Sequence, residues 1–278
     1  LYRLLIQPVA AAMTSKERVI IVSDGPLEQL NFETLVVPGA RSHYLIEDAV
    51  LARTPSLRFL QAGASPSPRG ERSLFALGDP LPPDPQFPVL PFAGKEVSSI
   101  AALFNPDNRL IHTGSGAIPS AYRNADLKRF TYIHLAAHAQ ANSVVPLDSA
   151  VVLSSDSGAY KLYARDVIAI PLSAELVTIS TCRSAGTRTF SGEGMVGLSW
   201  AFLSAGAKRV VGGLWPVEDA STAELMTDLY RRLAAGTEPD AALRQAKLTL
   251  LHSDTAYRKP YYWAPFVIYT SRVAERPL

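Results

Sequence analysis

The chain has 278 residues, with 27 Lys and Arg against 25 Asp and Glu, 47% hydrophobic residues and one cysteine, Cys182. That length makes one large domain or two small ones, and the near balance of charge offers no basic groove for nucleic acid and no charged face for a membrane surface. No run approaches the roughly 18 apolar residues that span a bilayer, and a lone cysteine closes no intrachain disulfide and forms no CxxC pair, which fits a reducing, cytoplasmic compartment.

The chain opens on Leu1 without a basic stretch, an apolar core and a cleavage site behind it, so it reads as a fragment of something longer. Residues 1–13 place apolar side chains at near-helical spacing, and 18–23 form a β-branched run closed by Asp24-Gly25-Pro26, giving helix, strand and turn. Residues 61–70 and 80–91 are rich in proline, which removes backbone donors and fixes φ. They are expected to be exposed, stiff loops flanking a short strand over 73–78. From residue 94 helices and strands alternate. Helices are expected at 94–104, 193–206, 218–236 and 239–252, and strands at 130–137, 150–154, 175–180, 209–214 and 263–270. The order implies an α/β fold, a mainly parallel sheet covered by helices on both faces, with its ligand site outside the carboxyl ends of the strands.

Two residues stand where that rule points: His138, after the strand 130–137, and Cys182, after the strand 175–180. A thiol with an ordinary pKa of about 8.5 is a modest nucleophile at neutral pH unless an imidazole draws off its proton. Histidine suits that task, and then protonates a leaving amine. Cysteine is also a common core residue, but Arg183-Ser184-Ala185-Gly186 after Cys182 is a polar, small-residue turn, unlike the Val and Ile surroundings of a buried thiol.

The segments YIHLAAHA (132–139), LVTISTCRSAG (176–186), GEGMVGLSWAFLSAGAKRVVGGLWPVED (192–219) and PYYWAPFVIY (260–269) resemble the CHAT domain, a caspase-like cysteine protease family related to separase. VSDGPLEQLNFETLV (22–36) and HYLIEDAV (43–50) resemble its amino-terminal half. The resemblance implies residues 1–92 as the amino-terminal part with proline-rich loops and 93–278 as the catalytic core. It further implies hydrolysis of protein or peptide substrates by a His138–Cys182 dyad without a cofactor or metal, and tetratricopeptide-type repeats upstream. In related enzymes the residue after the histidine and the cysteine itself supply the oxyanion-hole N–H groups, here Ala139 and Cys182. The family usually has glycine where this chain has Ala139, so a restricted φ and slower turnover are expected. Asp219 matches the acid that selects a basic residue before the cut bond in separase-like enzymes, and it also suits the first turn of the next helix. Asp148 and Asp156 are weaker candidates for the same role. Ser180 stands where metacaspases carry an acid, two residues before the cysteine.

Gly192, Glu193 and Gly194 recur in the family after the catalytic loop; glycines there permit a sharp turn into a helix whose N-terminal dipole favours the carboxylate. Trp215 is placed to wall a cleft or to join the core. Other patterns are weaker. Gly192–Gly197 reads G-x-G-x-x-G but does not directly follow a strand, and Ser199 in GLSWA lies inside a helical pattern, unlike a nucleophile elbow. His134 and His138, four apart on a strand, lack the HExxH glutamate. His43, His112 and His252 show no partners and are expected at the surface. The second reading keeps the fold as an interaction or regulatory module with little turnover, favoured by Ala139 alone.

Overall fold

The structure, a computed structural model, describes the chain except residues 14–17, 24, 62–70, 143, 181–190, 217 and 272–278; for residues 61 and 191–196 only the backbone is described. In chain order it runs α1 (Tyr2–Leu5), β1 (Arg18–Ile21), β2 (Val36–Val37), β3 (His43–Tyr44), β4 (Val50–Arg53), α2 (Leu57–Gln61) and β5 (Leu74–Pro80). Then come α3 (Ala93–Ala101), β6 (Arg109–Gly114), α4 (Pro119–Asn124), β7 (Tyr132–Ala136), β8 (Ala139–Gln140), β9 (Ala150–Asp156), β10 (Ala159–Tyr163) and α5 (Ala164–Ile168). The last part is β11 (Leu176–Ile179), α6 (Ser191–Ser204), β12 (Arg209–Gly213), α7 (Asp219–Ala234), α8 (Pro239–Leu251), α9 (Pro260–Trp263) and β13 (Phe266–Thr270).

The main sheet has the order β1-β4-β13-β12-β11-β7-β5-β6. Strands β12, β11, β7, β5 and β6 are parallel to one another; β13 is antiparallel to β12, and β4 and β1 follow the direction of β13. Every residue of β7 and β11 is buried, as expected of central strands covered on both faces. On one face Ile133, Leu135, Val177 and Val210 pack with Leu198, Ala201 and Phe202 of α6. On the other, Tyr132, Leu176 and Val211 meet Val97 and Ile100 of α3 and Leu225, Met226, Leu229 and Tyr230 of α7. The spacing of the α7 set by one, three and four is the apolar stripe that makes it a helix with one buried face.

The α/β class and the parallel core agree with the sequence reading, and the differences are local. The amino-terminal helix is broken by Pro8 into α1 and a 3-10 stretch, Gln7–Ala12. Residues 1–92 contribute β1, β4 and β5 to the main sheet. They are tied to α8 by buried ion pairs between Arg18 and Asp240 and between Glu33 and Lys247; Asp240 also lies 2.7 Å from Arg209 of β12. The segment 81–92 is not uniformly exposed, because Phe87 is 1% accessible.

Candidate active site

β7 delivers His138 to the carboxyl edge of the sheet. Two residues past the strand end the backbone passes into a small antiparallel sheet, β10-β9-β8. There the Val152 N–H donates to the His138 carbonyl at 2.7 Å. The residue is thereby fixed between two sheets, and only 3% of it is accessible.

The orientation of its imidazole comes from the proline-rich segment. Nε2 lies 2.7 Å from the Pro88 carbonyl oxygen. A carbonyl only accepts, so Nε2 carries the hydrogen, and in the neutral ring the lone pair is on Nδ1. The ring also faces Phe87, with centroids 5.9 Å apart and planes at 42°, and Phe87 in turn lies 6.3 Å from Tyr160 of β10. Neither Phe87 nor Pro88 was indicated by sequence reasoning; one aromatic inside a proline run was the available signal.

β11 lies beside β7, with Ile179 opposite Leu135 and the Ser180 N–H donating to the Leu135 carbonyl at 2.9 Å. Ser180 is 5% accessible, and its hydroxyl has no hydrogen-bond partner among the described residues. Cys182 follows two positions later and lies outside the described residues, as do Arg183–Gly186. Gly192, Glu193 and Gly194 fall in the first turn of α6, where the backbone alone is described. Ala139 opens β8, and its φ is not positive, so the strand conformation suits alanine as well as glycine.

The acids are spread around this edge. Asp219 is the first residue of α7, and its Oδ2 accepts the Phe92 N–H at 2.6 Å, which closes the far end of the 81–92 segment. Asp148 pairs with Arg165 of α5. Asp156 ends β9 at the tight turn formed by Ser157 and Gly158, both at positive φ. Trp215, past the end of β12, is half-buried against both core faces and donates Nε1–H to the Tyr261 carbonyl at 3.2 Å. The four candidates therefore do not form one cluster: Asp219 belongs with the 81–92 segment, Asp148 and Asp156 with opposite ends of β9.

His134 belongs to the interior. Its Nε2 is 2.8 Å from Glu96 of α3, both side chains are buried, and its ring meets Tyr230 edge-on at 5.1 Å. The Tyr230 hydroxyl donates to Thr178 at 3.2 Å, and burial pushes the Tyr230 phenol well above its ordinary pKa. Glu96 shares a face of α3 with Ala93, Val97 and Ile100, and a charged residue on an apolar stripe was the signal for a buried partner. The three remaining histidines have contacts that the sequence did not show. His43 bonds both Asp48 oxygens at 2.9 Å, His252 lies 3.5 Å from Glu47, and His112 packs on Phe75 at 6.0 Å.

A mostly parallel eight-stranded sheet flanked by helices puts the fold in the caspase-like class. Gingipain R, described as an Arg specific cysteine proteinase, is similar in structure with a TM-score of 0.51 and 8% identity, over 80% of this chain and 54% of that one. Separase from Saccharomyces cerevisiae, solved in a separase–securin complex, gives 0.49 and 14% identity, over 80% of this chain and 14% of that one. The CHAT domain model matches residues 1–271, and the chain belongs to the CHAT domain family. Tetratricopeptide repeat protein 28 of Mus musculus is 35% identical over 112 residues, and its Homo sapiens counterpart is 32% identical over 112 residues; each match takes in 40% of this chain and 4% of the relative. The chain thus covers a small part of those proteins. Among the described residues no helix is long and apolar enough to cross a membrane.

Proposed function

We propose that this domain is a cysteine endopeptidase in which His138 and Cys182 form the catalytic dyad. The observation that carries the reading is the fixed imidazole of His138 at the carboxyl end of β7, beside the strand that leads to Cys182. With Nε2 committed to the Pro88 carbonyl, Nδ1 is the base that takes the Cys182 proton. The thiolate then attacks the scissile carbonyl, and the N–H groups of Ala139 and Cys182 hold the oxyanion. The imidazolium returns its proton to the departing amine, and water, deprotonated by the same ring, releases the acyl group from sulfur. No step requires a metal or organic cofactor.

Asp219 is the acid proposed to meet a basic side chain before the cut bond, supported by its place beside the anchored end of the 81–92 segment and by the arginine specificity of gingipain R. The tetratricopeptide relatives support a location downstream of regulatory helical repeats, and the single cysteine supports a reducing, cytoplasmic setting.

Digestion of a proteome-derived peptide library, read by mass spectrometry, tests the assignment. Cuts made by the wild type and missing with Cys182→Ala establish the peptidase; cleavage that survives the substitution sinks it. Asp219→Asn keeps an oxygen for the Phe92 N–H and removes the charge. It should therefore lower kcat/KM after Arg or Lys by roughly 10- to 100-fold, the loss of one charge-assisted contact. An unchanged preference removes Asp219 from that role.

A further inference from the structure

We infer that Phe87 is a positioning residue for His138, the part of the 81–92 strap that decides where the Pro88 carbonyl stands. The inference rests on the reading of His138 as the catalytic base.

The strap is tied at both ends. The Leu81 N–H donates to the Ser154 hydroxyl at 2.8 Å, and that hydroxyl donates to the Gly114 carbonyl at 2.7 Å. At the other end the Phe92 N–H is held by Asp219. Between the ties five prolines, Pro82, Pro83, Pro85, Pro88 and Pro91, restrict φ, so the backbone has few ways to move independently of its anchors. A turn closes in the middle, with the Phe87 N–H on the Asp84 carbonyl at 2.9 Å and the Gln86 N–H on the Asp84 side chain at 2.9 Å.

Only one side chain from Leu81 through Phe92 is buried, and it is Phe87, wedged between the imidazole of His138 and the ring of Tyr160. The next residue supplies the carbonyl that bonds Nε2. Full burial of an apolar ring outweighs the net gain of one hydrogen bond, so the ring dominates in fixing the carbonyl. Leu90 packs on the core only partly buried, so without the ring the strap loses its one fully buried side chain, the carbonyl leaves Nε2, and the proton of the neutral imidazole redistributes between Nε2 and Nδ1. A ring protonated on Nδ1 cannot accept the thiol proton there. Phe87 does not touch the reacting atoms in this scheme; it acts through His138.

The test is the imidazole nitrogen-15 spectrum of the full chain labelled on histidine, with His138→Gln assigning the resonances. The wild type should show His138 hydrogenated on Nε2. Phe87→Ala should show a mixture of both tautomers with the rest of the amide spectrum intact. Peptide turnover should fall about tenfold in kcat with KM within about twofold, the pattern of a misplaced base and not of lost substrate binding. Phe87→Leu keeps apolar volume and loses the ring face; it should lie between the two, and it decides the matter if the alanine variant does not fold. Phe104→Leu, a core change on the opposite face of the sheet, should leave the His138 signature alone. An unchanged Nε2–H signature in folded Phe87→Ala or Phe87→Leu overturns the inference. The tautomer is read without substrate, so a chain that cleaves nothing refutes the peptidase reading and still settles the role of Phe87.

Discussion

Gly197→Ala probes whether the two segments proposed to carry the dyad are held together by close packing. Gly197 lies in α6, the helix that follows the segment containing Cys182. It faces the turn Pro146–Asp148, which belongs to the loop that follows His138. A Cβ at this position would stand 2.9 Å from the Pro146 carbonyl oxygen and 3.2 Å from the Ser149 hydroxyl. Ordinary contact needs about 3.5 Å, so helix and turn must separate by roughly 0.6 Å. The carbonyl is backbone and cannot rotate away. Overpacking of this kind costs about 1–3 kcal/mol, and replacing a helical glycine returns about 1 kcal/mol, so the net destabilisation is about 1 kcal/mol. Turnover should suffer more, because a displacement near 1 Å between reacting groups costs on the order of 100-fold; 0.6 Å corresponds to roughly tenfold in kcat. Urea unfolding measures the first quantity and peptide cleavage the second. Stability raised by the full glycine-to-alanine increment, with turnover unchanged, would refute the packing argument.

The parts of this fold that sequence reasoning recovers are those whose side chains carry the structure. β7, β11 and β12 are short, wholly buried apolar runs, and α7 shows its stripe, so residue type alone locates them. His138 is legible for the same reason, as a polar residue just past the end of such a run. The direction of β13 is not written in its own residues. It follows from the connection: α7 and α8 are joined by a four-residue link, which makes them antiparallel neighbours. A chain that leaves the carboxyl edge on α7 therefore returns to it on α8, and β13 must run back down, antiparallel to β12. Edge strand β6 escapes notice because none of its residues, Arg109 to Gly114, is fully buried and they mix polar and apolar types. Proline content barred residues 80–91 from the sheet interior, and only Pro80, the last residue of β5, lies in it; yet proline constrains backbone donors and not the fate of a side chain. Burial of Phe87, and with it the carbonyl on His138, depends on Tyr160 and His138, residues 51 to 73 positions away in sequence.

Three further substitutions test the electrostatics and the backbone. The His43–Asp48 pair raises the His43 pKa, chiefly through the hydrogen bond to the carboxylate. Its stabilisation is therefore fully present below the ordinary histidine value of about 6.5 and is lost as pH rises through the folded-state value. Both groups are substantially exposed, so His43→Ala should cost only a few tenths of a kcal/mol near pH 5.5 and nothing near pH 8.5; an equal loss at both removes the pair as the cause. Gly206 and Gly158 separate backbone strain from crowding. Both have positive φ, 115° and 91°, but a Cβ at Gly206 runs directly into the Leu172 carbonyl, whereas one at Gly158 meets open space. Gly158→Ala should cost the left-handed strain alone, about 1–2 kcal/mol, and Gly206→Ala that strain plus about 1–3 kcal/mol of overpacking. Gly206 also ends α6 by donating its N–H to Leu203 at 3.1 Å, so any relief by backbone movement would unwind the helix end. Denaturant midpoints at constant slope give the comparison, and equal losses for the two variants would mean that the Leu172 segment yields freely, contrary to the tight contact between it and α6.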